Sequence, residues 1–66
     1  MPQDSQWLEQ EEIAQKIGAQ IWRVRQVVSA LSLLGTIRTR PKPTDRRKTE
    51  VYSDDVPIVR KAIFGE

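Results

Sequence analysis

Gly18-Ala19-Gln20-Ile21-Trp22-Arg23-Val24-Arg25-Gln26-Val27-Val28-Ser29-Ala30-Leu31-Ser32-Leu33-Leu34-Gly35 is a glycine-bounded run whose apolar spacing decides how the chain folds. Val24, Val27, Val28, Leu31 and Leu34 recur every three or four residues, which lines one face of an α-helix. The β-branched content would suit a strand, but alternation fails and the run is too long for one. A helix is therefore predicted over residues 21–34, stopped by Gly35. Arg23, Arg25, Gln26, Ser29 and Ser32 fall mostly on its other side.

Upstream, Ile13, Ala14 and Ile17 share a face, with Glu9, Glu11 and Glu12 in the first turn, where they complement the helix dipole. A first helix is expected over residues 9–17, ended by Gly18. Residues 1–6 are polar and expected to be frayed, and Trp7 is expected in the core or in a self-contact. Downstream, residues 36–40 alternate Thr and Arg around Ile37 and read as a strand with Ile37 inward. Residues 41–48 hold two prolines and read as a long basic loop. Residues 49–52 form the return strand with Val51 inward. Ser53 is expected to cap a final helix of about ten residues, with Asp54 and Asp55 supplying first-turn electrostatics and Pro57 tolerated at its start. The expected fold class is α+β, a single domain over residues 1–66 with the order helix, turn, helix, hairpin, helix. Its expected core is Ile13, Ala14, Ile17, Val24, Val27, Val28, Leu31, Leu34, Ile37, Val51, Val56, Val59 and Ile63.

Composition narrows the function. Sixty-six residues lie near the lower limit for an unaided core, and with no Cys and no His a disulfide is impossible and a zinc site is not expected. A homodimer or a larger protein assembly would supply further buried surface. The same absences remove the usual nucleophile–base pairs, and the chain is too small to bury a substrate. No enzymatic activity, catalytic residue, metal or cofactor is expected. No apolar run approaches the ~18–20 residues of a membrane span, and no signal-peptide pattern is present, so the expected location is cytoplasmic, with the nucleoid.

Charge is unevenly distributed. Residues 1–19 carry a net −3, residues 20–48 a net +7, and residues 49–66 a net −2. A basic middle block suggests a polyanionic partner. Two short helices joined by a Gly-containing turn, with cations on the second, form the pattern of a DNA-reading helix-turn-helix, because the major groove of B-DNA admits one α-helix. The candidate base-reading face is Gln20, Trp22, Arg23, Arg25, Gln26 and Ser29. Arg can bridge the two acceptors of guanine, and Gln the acceptor and donor of adenine. Trp22 has two readings, contact with nucleic acid or packing on a neighbouring loop. Arg38, Arg40, Lys42, Arg46, Arg47 and Lys48 form a basic hairpin suited to phosphates or the minor groove.

Glu12-Ile13-Ala14-Gln15-Lys16-Ile17-Gly18 resembles the first helix and turn of the winged helix-turn-helix superfamily. Val24 to Leu34, followed by Gly35-Thr36-Ile37-Arg38, is similar to the second helix and its exit into the wing. Pro43-Thr44-Asp45-Arg46-Arg47-Lys48 resembles the wing of MarR-type regulators, and Val51-Tyr52-Ser53-Asp54-Asp55-Val56 the closing segment of MerR-type and excisionase-like domains. The resemblance covers about residues 8–52. It implies that Asp45 braces the wing, that Arg47 contacts DNA, and that the role is transcriptional regulation, phage or mobile-element repression, or excisionase-like binding. The long helices that form the MarR-type dimer and ligand pocket have no counterpart in these residues, so no small-molecule effector is expected. The alternative is a winged-helix module that binds protein or RNA within a larger assembly.

Overall fold

The computed structural model describes residues 6–65; the expectation of fraying at residues 1–5 lies outside them. In chain order the elements are β1 (Trp7–Glu9), α1 (Gln10–Ile17), α2 (Ile21–Leu33), β2 (Thr39–Lys42), β3 (Asp45–Tyr52), a 3-10 turn (Ser53–Asp55) and α3 (Val56–Phe64). The class is α+β, with three helices beside an antiparallel sheet of order β1-β3-β2. None of the helices among the described residues is long and apolar enough to cross a membrane.

Local chemistry sets the helix boundaries. Glu9 is the N-cap of α1, and Glu12 Oε1 accepts the Glu9 N–H at 3.1 Å, so the first turn holds its own entrance. Gly18 leaves the helix at φ 73°, and the Ala19 N–H then bonds Ala14 O at 2.9 Å. A Cβ at Gly18 would meet nothing within 4 Å, so backbone conformation alone calls for glycine there. α2 closes with the double bond pattern of a Schellman end, Thr36 N–H to Leu31 O and Gly35 N–H to Ser32 O, both 3.0 Å.

That closure corrects one expected core position. α2 ends at Leu33, and Leu34 is its C-cap, 76% exposed. The left-handed turn at Gly35 swings the chain so that Ile37 is buried instead. The buried cluster is Ile13, Ala14, Val24, Val28, Ile37, Val51 and Val59, with Ile17, Val27, Leu31, Val56 and Ile63 half-buried against it. Leu8, Ala19 and Ile21 also pack on this cluster.

The hairpin differs most from expectation. Residues 41–48 are not a loop: β2 runs through Pro41 to Lys42, β3 starts at Asp45, and only Pro43 and Thr44 turn the chain. Pro41 is accommodated because β2 is an edge strand, where a missing N–H removes no outer pairing, and a register shift follows between Pro41 and Lys42. β2 also starts later than expected, at Thr39 rather than residue 36. β1 is a further strand, pairing Trp7 with Tyr52 and Leu8 with Val51. At the other end Ser53 is not a side-chain cap. Residues Ser53–Asp55 form the 3-10 turn, Asp55 occupies the N-cap position of α3 without capping it, and Pro57 sits in the first turn of α3.

Two substitutions test this construction. Gly18→Ala forces a Cβ into the left-handed region and is expected to cost about 1–2 kcal/mol. Ile13→Val removes one methylene from the centre and is expected to cost about 1 kcal/mol. In a domain of this size each kcal/mol lowers Tm by roughly 4–8 °C in a circular-dichroism melt. An unchanged Tm for Gly18→Ala would contradict the conformational reading of that turn.

Candidate nucleic-acid interface

The alternation of β2 places Arg40 and Lys42 on one face of the sheet, and Arg38, just before the strand, continues that row. Trp7 and Glu9 on β1, with Glu50 and Tyr52 on β3, lie opposite one another in the register. A lattice of cations, rings and carboxylates results. Arg40 Nε donates to Glu50 Oε1 at 2.9 Å, and its guanidinium lies 4.5 Å from the Trp7 ring centroid. Lys42 Nζ donates to Glu9 Oε2, and Lys48 Nζ lies 3.8 Å from Glu9 Oε1. The Arg38 guanidinium sits 4.1 Å from the Tyr52 centroid, and Tyr52 meets Trp7 edge-on at 5.3 Å. Trp7 is thus half-buried within this lattice.

Arg38 is tied most closely. Asp55 is buried, and its carboxylate accepts the Arg38 backbone N–H at 2.7 Å, Nε at 3.2 Å and Nη2 at 3.3 Å. The Arg38 hydrogen bond holds the Asp55 carboxyl below its ordinary range, and Asp55 in turn raises Arg38. Glu9 is lowered and Lys42 raised, chiefly by their mutual hydrogen bond. Asp55 was expected only as first-turn electrostatics for the last helix. Its observed role is to accept from Arg38 at the base of the hairpin, a partnership that no local pattern in residues 53–55 signals.

The remaining cations are differently placed. β3 carries three consecutive exposed residues, Arg46, Arg47 and Lys48. Asp45 Oδ1 accepts the Arg47 N–H at 3.1 Å and Arg47 Nε at 3.4 Å, while the Arg47 side chain stays 92% exposed. Among the described residues, Arg25 and Arg46 have no carboxylate within ion-pair reach. An open depression of about 400 Å³ is lined by Arg25 of α2 and by Arg47, Lys48 and Thr49 of β3, together with Glu9 and Glu11. A second depression of about 310 Å³ continues it along α2 past Ser29 and Ser32 to Thr39.

The rest of the expected α2 face is not all on that side. At about 100° per residue, Arg23 and Arg25 lie about 160° apart around the helix. Arg23 Nη1 donates to Gln26 Oε1 at 3.3 Å on the far flank. Trp22 and Gln26 are exposed between the two flanks, and Gln20 is the exposed N-cap whose carbonyl accepts the Arg23 and Val24 N–H groups, both at 3.1 Å.

No protein-family model matches the chain, and neither a curated protein nor a solved structure does. The site therefore rests on its own geometry.

The Arg38–Asp55 tie has a pH signature. A carboxyl whose folded pKa is depressed contributes stability that is complete above about pH 5 and is lost as pH falls through its unfolded and then its folded value. Asp55→Asn is expected to lower Tm at neutral pH by roughly 5–10 °C. The gap between wild type and variant should narrow as the pH is lowered from 5 towards 3. A gap that stays constant over that range would contradict the assignment.

Proposed function

We propose that this domain binds double-stranded DNA as a winged helix-turn-helix, with α2 in the major groove and the β2–β3 hairpin reaching the adjacent minor groove or phosphates. The observation that carries the reading is the sorting of cations. Arg38, Arg40 and Lys42 pair with carboxylates 10 to 33 residues away in the chain, whereas Arg25 and Arg46 have no carboxylate within ion-pair reach among the described residues and Arg47 bonds only its near neighbour Asp45 and stays 92% exposed; Arg25 and Arg47 line one depression. Exposed cations between a helix and a hairpin suit a duplex, whose backbone presents one negative charge per ~1.7 Å of axis. Arg25 is the base-reading candidate, since Arg forms a bidentate pair with guanine. Arg23, on the other flank, is the candidate for a phosphate across the groove. Arg47, with Asp45 bonding its backbone, and Arg46 are the wing contacts. The fitting role is regulatory or architectural DNA binding in the cytoplasm, with the nucleoid.

A second reading, a module that pairs with a protein or with its own copy, is favoured by Leu33, which is 87% exposed beside exposed Leu34 at the end of α2. Salt separates the two, because apolar contacts do not weaken as ions are added.

Retardation of random and selected duplexes over a salt series tests the DNA reading. Each phosphate neutralised contributes a log–log slope near −0.9, so the five cations Arg23, Arg25, Arg46, Arg47 and Lys48 predict a slope of about −4.5. Arg25→Ala should erode the preference for the selected duplex. Arg47→Ala should weaken all duplexes alike and flatten the slope by about 1. Absence of any retardation at low salt would contradict the reading.

A further inference from the structure

Two tryptophans in this chain meet opposite fates. Trp7 is held between Tyr52 and Arg40. Trp22, in the first turn of α2, is 61% exposed, and among the described residues it makes no ring contact and no side-chain hydrogen bond. A large aromatic left so open on a small domain is unusual, and Trp and Arg together are what binding surfaces enrich.

Position sharpens the point. Trp22 lies about 60° from Arg25 and about 40° from Gln26 around the helix, on the outward crest between the two arginine flanks. A helical side chain leans towards the N-terminus, so its indole extends to the leading end of α2. With Arg25 as the base-reading candidate about 60° to one side and Arg23 as the phosphate candidate about 100° to the other, the crest at Trp22 lies beside the base edges that Arg25 reads. On those edges the one apolar group in the major groove is the 5-methyl of thymine. An indole offers an apolar body with a single N–H donor and no acceptor.

We infer that Trp22 is a specificity-determining residue that packs its indole against the 5-methyl group of a thymine. This rests on the DNA reading above and adds a chemical class of target, a site with thymine next to the base read by Arg25. The flanking arginines argue for a duplex over an apolar protein surface, since they bring charge to the rim of the same face.

The test uses the duplex that the wild-type chain selects from a randomised pool, resynthesised with each thymine in turn replaced by deoxyuridine, which deletes only the methyl group. Wild type is expected to lose about fourfold in affinity at one or two positions, the value of one buried hydrocarbon group. Trp22→Ala, checked for folding by circular dichroism, should bind the selected duplex more weakly and show no difference between thymine and deoxyuridine there. If duplexes are selected but no position responds to deoxyuridine, or Trp22→Ala responds as wild type does, the role of Trp22 is overturned and DNA binding stands. If no duplex is selected at all, the underlying reading falls and this inference with it.

Discussion

The Asp55 carboxylate accepts three hydrogen bonds from Arg38, one from the backbone N–H and two from the guanidinium, and Arg38 O accepts the Tyr52 N–H at 3.0 Å. This joins the segment leaving α2 to the junction between β3 and α3, two points 17 residues apart in the chain. The hairpin between them is closed at its base by this tie, and α3 is set against α2 beside it. Because both partners lie where strands meet helices, the tie fixes which residues of β2 oppose which of β3. Arg40 thereby falls opposite Glu50, and the two pair. The direction in which the basic hairpin projects follows from that register.

Charge segregation along a sequence differs from segregation in space. The basic block of residues 20–48 is flanked by acidic blocks. Folding brings Glu9 from the first flank, and Glu50 and Asp55 from the second, onto Lys42, Arg40 and Arg38. Part of the basic block is thus neutralised, and the sheet face it occupies is a structural lattice. What is left is a smaller set of cations on α2 and at the hairpin tip, of which Arg25 and Arg47 line one depression. The functional reading gains from the reduction, because it names which arginines are available to a partner.

How much of this was legible can be judged residue by residue. The long helix between Gly18 and Gly35 was readable because both its period and its glycine stop are local signals. Val51 was readable as an inward residue from strand alternation; Ile37 is inward too, but it precedes β2 and is brought in by the turn at Gly35. β1 was not, since three residues are too few to show a period and Trp7-Leu8 gains meaning only beside Tyr52 and Val51. The hairpin strands were not legible past residue 40, because Pro41 reads as a breaker in any local window and only the fold shows that its strand lies on the edge. Leu34 was misplaced by extending the helical period one residue past the point where the Schellman closure ends it. Of the candidate site, the exposure of Arg25, Arg46 and Arg47 matches a reading from local sequence. The internal use of Arg38, Arg40 and Lys42 depends on contacts 10 to 33 residues distant, which no short window contains.

The central claim is that the arginines divide into structural and partner-facing sets, and the side-chain Nε–H signals of the folded domain report on each one. In a nuclear magnetic resonance titration with duplex DNA, the Nε–H signals of Arg25, Arg46 and Arg47 should shift progressively while those of Arg38 and Arg40 stay in place. Shifts concentrated at Arg38 and Arg40, or none anywhere on the arginines, would contradict it.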